Sequence, residues 1–273
     1  ICDPPAVLYV RGKLCPQDAY AVAIVGSRRA SEYGLGVAAD LAGQLARAGV
    51  TVVSGMARGL DAAAHQGALR AGGRSLAVLG CGVDICYPPE HRRLRDEILN
   101  NGALLSEFPL GATPDRWRFP ARNRIISGLS LGTVLVEAPA NSGAIITADF
   151  ALEQGRDVFA VPGNVDTFAN QGCNRLIKEG AHLVENAADI LEVLNLSTAG
   201  LSAPPAQPVL PLQLSPEAER VLALLGPHQK HVDALTIESA LPPGQVLSAL
   251  TLLEMAGAAR RLPGNYYVRI PTR

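Results

Sequence analysis

What most limits the folds open to this chain is an alternation that runs from Ala21 to about residue 195. Short apolar runs end in glycine or a polar loop, and each is followed by a segment of helical periodicity. Val22-Ala23-Ile24-Val25 ends in Gly26-Ser27-Arg28. Ser31 then stands where a helix cap belongs, ahead of Ala38, Leu41, Ala42, Leu45 and Ala46 at helical spacing. Gly49 closes that helix, and Val50–Val53 is the next strand. The unit recurs with strands at Ser75–Leu79, Ala103–Ser106, Thr133–Val136, Val158–Val161 and His182–Val184. Helices are expected over about 61–71, 89–100, 121–130, 144–154, 171–179 and 187–194. Val7–Val10 reads as a short edge strand. Such alternation predicts a mainly parallel, doubly wound α/β sheet with helices on both faces. In these sheets ligands collect beyond the carboxyl ends of the strands.

The pattern stops near residue 195. Residues 196–216 hold Pro204, Pro205, Pro208, Pro211 and Pro216 in a Ser/Ala/Leu-rich stretch without period, which predicts a semi-extended linker. Residues 217–273 form a second unit. Helices are expected at 217–225, 232–240 and 243–256, then a hairpin turning at Pro263–Asn265. This is the pattern of a small winged-helix domain. Its presumptive recognition helix carries Gln245, Ser248, Thr251 and Glu254 and no Lys or Arg. That leaves duplex DNA and a protein partner both open, with the protein favoured, because fold does not fix function.

Composition narrows the function. With 48% hydrophobic and 18% charged residues the 273-residue chain is globular. Its formal net charge of −1 means that any nucleic-acid site is a local patch. Lys13, Lys178 and Lys230 are the whole lysine complement, so the patch chemistry is arginine chemistry. The five cysteines form no CxxC pair and are odd in number, which points to buried small hydrophobes in a reducing cytoplasm. No signal peptide or membrane-length apolar run is present. The chain opens at Ile1, so an upstream segment is expected to have been trimmed.

Several chemistries lack their residues. There is no G-x-x-x-x-G-K-[S/T] loop for ATP. Gly34-x-Gly36-x-x-Ala39 lies inside the first helix, and the second strand ends in Ser54 with no carboxylate for a ribose, so a dinucleotide cofactor is not expected. Ser54, Asp61 and His65 lack the strained elbow of a nucleophilic serine. The five histidines show no metal-ligand spacing. Neither a cofactor nor a metal is expected, and no residue is assigned a catalytic role. Glu137 alone stands at a strand end as a carboxylate, for acid–base work or for orienting arginines.

The positive chemistry lies in Pro114–Ser130. Arg116, Arg118, Arg122 and Arg124 fall within nine residues, among Trp117, Phe119 and Asn123. Guanidinium forks fit phosphate oxygens, and aromatic faces stack bases. The strand ends opposite are rich in small residues: Gly26-Ser27-Arg28, Ser54-Gly55, Gly80-Cys81-Gly82, the segment from Glu137 to Gly143, and Pro162-Gly163-Asn164. Glycine there lets backbone N–H groups approach an anion. The expectation is a single cradle for an anionic strand at one rim of the sheet.

With these motifs in view, residues 6–195 resemble the DNA-processing protein A family (DprA, also called Smf). The resemblance rests on VAIVGSR (22–28), VVSGMARGLDAAAH (52–65), AVLGCGVDICYP (77–88), LLSEFPLG (104–111), FPARNRIISGLS (119–130), VEAPANSGAIITA (136–148), GRDVFAVPGN (155–164) and GCNRLIKEGAHLV (172–184). The tail resembles the winged helix that some members carry. The resemblance implies an extended Rossmann-like fold that binds single-stranded DNA without bond chemistry. It also implies a homodimer that protects incoming DNA and loads the RecA recombinase during natural transformation. Carried over by position, its DNA pocket uses Gly26, Ser27, Arg28, Gly55, Arg116, Phe119, Arg122, Asn123 and Arg124, with Ser142 and Gly143 opposite. The alternative is a phosphoribohydrolase of the LOG, or lysine-decarboxylase-like, kind. Against it, EAPANSGAIITA lacks that family's paired glycines and downstream Glu.

Overall fold

The computed structural model describes residues 1, 3–196, 215–226, 229–255 and 258–270. They belong to two compact units, Ile1–Pro205 and Ala206–Arg273. Of the expected linker, residues 197–214 lie outside the described residues.

The first unit is one eight-stranded sheet. Its strands are β1 (Tyr9–Gly12), β2 (Ala21–Val25), β3 (Thr51–Ser54), β4 (Ser75–Val78), β5 (Gly102–Ser106), β6 (Gly132–Leu135), β7 (Asp157–Ala160) and β8 (His182–Leu183). The order across the sheet is β1-β5-β4-β3-β2-β6-β7-β8. Every neighbouring pair is parallel except β1, which runs antiparallel to β5 at the edge with Tyr9 opposite Ser106. The edge strand thus starts two residues later than its apolar run suggested. It ends at Gly12, whose positive φ and lack of a Cβ let it close on the Gly102 carbonyl. Strand order reverses between β2 and β6, which opens a crevice at their carboxyl ends.

Alternation along each strand sends side chains into two cores. On one face Val22, Ile24 and Val134 pack with α1 (Glu32–Arg47), α2 (Leu60–Arg70) and α7 (Ala187–Val193). Ala77, Leu79 and Leu104 pack with Leu94 and Ile98 of α3 (Arg92–Asn100). On the other face Ala23, Val25, Leu76 and Leu105 meet α4 (Arg118–Gly128), α5 (Gly143–Glu153) and α6 (Gln171–Lys178). Burial on both faces is why the strands read as continuous apolar runs. Ser31 caps α1 as expected, accepting from the Gly34 N–H at 3.0 Å. α4 begins at Arg118, earlier than its apolar period shows, so the arginine-rich stretch is itself mostly helix.

The second unit holds α8 (Pro216–Leu224), β9 (Lys230–His231), α9 (Val232–Ser239), α10 (Pro243–Met255), β10 (Ala259–Leu262) and β11 (Tyr266–Arg269). Its sheet has the order β10-β11-β9, so this is a winged helix with a third strand. Two residues are too short a run to reveal β9 by periodicity. Gly264 and Asn265 turn the hairpin with positive φ. Val221, Leu235, Val246, Leu250, Leu253 and Tyr267 form its core.

The most extensive helix contact in the first unit is α1 on α2. A Cβ built on Gly67 would lie 2.0 Å from the Ala39 carbonyl oxygen, whereas one on Gly43 would have nothing nearer than 3.4 Å. Gly67→Ala should therefore force the helices apart and cost about 1–3 kcal/mol. Gly43→Ala should be neutral or should gain up to about 1 kcal/mol from helix propensity. Urea midpoints for the two variants check this directly.

Candidate functional site

The carboxyl ends of β2 and β6 are joined before any ligand is considered. The Ser27 N–H donates to the Glu137 carbonyl at 2.8 Å. The Glu137 side chain, 2% exposed, turns back under the start of α1. It accepts from the Ser31 N–H at 2.9 Å and from the Ser31 hydroxyl. Gly34 makes room, since a Cβ there would lie 2.5 Å from the carboxylate carbon. Glu137 therefore neither orients an arginine nor faces a cleft; it holds a helix start, where its charge complements the dipole. This corrects both sequence expectations for it, and it explains the glycine at position 34. Gly26 is also a packing glycine, with Leu60 Cδ1 2.2 Å from its would-be Cβ. The half-buried Ser27 shapes the turn by accepting from the Arg29 N–H at 3.1 Å.

Of Arg28, Arg116, Arg122 and Arg124, the arginines expected to hold phosphates, two are engaged with the protein itself. Arg122 is 3% exposed. Its guanidinium donates to the Gly55 carbonyl at 2.9 Å and to the Val78 carbonyl. Burial lowers its pKa to about 10, with the Arg28 charge adding to the effect and buried Asp61 opposing it, so it stays charged at neutral pH. Asp61 is pushed up by burial, against the pull of Arg122 and of the Ala57 N–H, which it accepts at 3.2 Å. Gly55 sits between them: a Cβ there would meet both Arg122 nitrogens and an Asp61 oxygen within 2.7 Å. Arg124 is held by Glu107, at 2.5 Å and 3.1 Å, and by Asp3 at 2.9 Å. Its side chain is 12% exposed. Arg122 and Arg124, both expected in the DNA pocket, thus direct donors at protein acceptors: Arg122 through Nη1 and Nε, and Arg124 through all three nitrogens. Arg118 likewise donates to the Thr113 carbonyl at 2.6 Å.

Arg28 and Phe119 do come together. The exposed Arg28 guanidinium lies 5.1 Å from the centroid of the Phe119 ring. Tyr87 packs beside that ring at 5.6 Å, tilted by 33°. Gly80 lets the ring lie close, since its Cβ would be 2.8 Å from Phe119 Cδ1. These residues line a shallow cleft with Gly55, Ala57, Arg58 and Pro88 at the ends of β3 and β4. Its cavity volume is ≈ 30 Å³. Arg58 is paired with Glu90 at 2.5 Å on the surface. Arg116 is exposed and is engaged in no hydrogen bond or ion pair within the described residues. Tyr87 was missed by sequence reasoning. Its signal was an aromatic in the same β4 loop whose glycines had been noticed.

Farther along the rim, the Asn123 amide donates to the Gly143 carbonyl at 3.2 Å, tying α4 to the start of α5. Ser142 precedes α5, and its Oγ is buried without a partner. Gly143 is exposed, with open space where a Cβ would stand. Asn123, Ser142 and Gly143, all expected in the DNA pocket, do not line the Arg28–Phe119 cleft. Among the described residues no cluster of three or more His, Cys, Asp or Glu could hold a metal. No helix of the described residues is long and apolar enough to cross a membrane.

A family model described as DNA recombination-mediator protein A matches residues 1–195. The chain belongs to the DprA family. A second model, the DprA winged helix domain, matches residues 203–265. Protein Smf of Escherichia coli (strain K12) is 41% identical over 272 residues, covering 97% of this chain and 72% of that relative. DNA processing protein DprA of Streptococcus pneumoniae is 44% identical over 191 residues, 70% of this chain and 67% of its own length. The X-ray structure of the S. pneumoniae protein superposes with a TM-score of 0.66 at 43% identity, over 69% of this chain and 66% of that one. DprA of Helicobacter pylori, in a structure concerned with that protein's single-stranded DNA binding mode, gives 0.64 at 30% identity, over 71% and 89%.

α2 carries a fully buried histidine. His65 Nδ1 is 2.6 Å from the Ser75 hydroxyl, which itself donates to the Val52 carbonyl at 3.0 Å. The hydroxyl therefore accepts, and the neutral ring carries its proton on Nδ1. Asp61 does not bond it, and Ser54 donates to the Ile24 carbonyl at 2.6 Å, so no triad forms. Burial lowers the His65 pKa from 6.5 to about 3. Between those values the unfolded chain binds more protons than the folded one. Stability should therefore fall as the pH drops through that window, by up to about 1.4 kcal/mol per pH unit from this group. In His65→Asn that part of the slope between pH 6 and 4.5 should vanish, whatever the variant's absolute stability. Urea titrations across the range measure it.

Proposed function

We propose that this DprA-family chain binds single-stranded DNA at the rim formed by the ends of β3 and β4 and the start of α4. The carrying observation is the Arg28 guanidinium poised over Phe119 beside Tyr87 in an open cleft, with Arg116, unpaired among the described residues, just before α4. In the free protein Arg28 covers the ring. An exposed cation–π contact is worth roughly 0.5–1 kcal/mol. A charge-assisted bond to phosphate is stronger than a neutral hydrogen bond. A strand would draw Arg28 onto its backbone and uncover Phe119 for a base, exchanging the weaker contact for two better ones.

Three further features support the reading. α4 begins on Arg118 and has no acidic side chain in its first turn, where an anion is favoured by the helix dipole. The H. pylori relative is described as a single-stranded DNA binder. Glu137, the carboxylate that stood at a strand end as a candidate acid or base, is spent on the α1 start, which supports binding without bond chemistry. In this proposal the direct contacts are Arg28, Arg116 and Phe119. Arg122 fixes Gly55, and Arg124, Asn123, Ser142, Gly143, Gly26 and Ser27 shape the rim. The wider role, also proposed, is that of a homodimer in the cytoplasm that protects incoming DNA and passes it to RecA during natural transformation. The winged helix then serves a partner protein: the outward side of α10 exposes Leu247, Leu252 and Met255 and no base.

Arg28→Ala and Arg116→Ala should each weaken oligothymidylate binding and flatten log affinity against log salt by roughly 0.7 per lost phosphate contact. Arg124→Ala should lower stability and leave that slope nearly unchanged. Anisotropy titrations at several salt concentrations decide it. An unaltered slope in both Arg28→Ala and Arg116→Ala would move the DNA site elsewhere.

A further inference from the structure

Two aromatic pairs flank the start of α4. Phe119 faces Tyr87 in the cleft. Trp117, two residues earlier, meets Phe108 edge-on at 5.8 Å and 87°. Residues two apart at a helix start project to different sides, so the pairs do not share a pocket. The cleft lining includes Phe119 and omits Trp117.

Trp117 is 58% exposed, whereas Phe108 beneath it is 9% exposed. The Arg118 guanidinium lies 4.9 Å from the Phe108 centroid and 5.3 Å from Trp117. Arg118 is itself fixed by the Thr113 carbonyl. The indole is thus braced by an edge contact and a cation and keeps much of its surface open to water. Arg116, the neighbouring cation, has no protein partner among the described residues. A fixed, open aromatic surface beside an unspent cation is the pairing that single strands use: a π-face for any base and a charge for its phosphate.

We propose that Trp117 is a second base-stacking platform, outside the Arg28–Phe119 cleft, for the strand that leaves it past Arg116. The proposal rests on the single-strand reading of the cleft given above. It makes α4 a divider: one nucleotide is held on the Phe119 side and another on the Trp117 side, with the backbone crossing the helix start between them.

Trp117 is the sole tryptophan, so all indole emission of the full chain reports on it. A dye-labelled long oligothymidylate gives binding by anisotropy, while indole emission and its quenching by acrylamide give contact at Trp117. The expected result is emission quenched, and the indole shielded from acrylamide, with the same midpoint as the anisotropy. Trp117→Ala should weaken binding roughly tenfold, and Trp117→Phe should recover most of the loss. Full binding with emission and acrylamide access unchanged, or unweakened binding by Trp117→Ala, overturns the platform and leaves the cleft standing. No anisotropy change at all overturns the cleft reading and the platform with it.

Discussion

The site depends on one buried cation. Arg122 reaches from α4 to the carbonyls of Gly55 and Val78, at the ends of β3 and β4. Those carbonyls have no further strand to pair with, and a buried unpaired carbonyl is costly. A single guanidinium satisfies both and pins the helix over the strand ends. That position brings Phe119 against Tyr87 and Gly80, and under Arg28. Asp61 offsets part of the burial cost of the charge, and Gly55 is glycine because no Cβ fits between the two. Arg28, Phe119 and Tyr87 are thus arranged by a residue buried beneath them.

The same logic sorts the other charges. Acids and bases here are either committed to the scaffold or left open, and the difference is visible in their partners. Glu137 closes α1 onto β6, and Glu107 with Asp3 holds Arg124. Arg28 and Arg116 are exposed without a carboxylate partner among the described residues. In a chain of net charge −1, attraction for an anionic strand comes from such local imbalance.

Much of the fold was legible because burial on both faces gives strands an unmistakable apolar run and helices a clear stripe. The strand-end glycines were legible as a group, yet their reasons were not. Gly26 read as an anion-loop glycine and Gly34 as a helix glycine without a purpose, and both turn out to admit a neighbouring side chain, Leu60 and Glu137. Arg122 read like its neighbours, although Ile125 and Ile126 at the next helical positions mark its side of α4 as inward. Tyr87 escaped notice because a loop aromatic has no period to betray it.

By itself the sequence determined the α/β alternation, the second unit with its winged-helix pattern, and the concentration of arginine and aromatic side chains in one stretch. These follow from local spacing, which a chain carries wherever it goes. Only the tertiary structure decided which arginines are free. A guanidinium in a sequence has five donors and no stated partner, and its partners here lie 17, 44, 67 and 121 residues away. Those separations are set by strand order and by the reversal between β2 and β6. No local pattern encodes them.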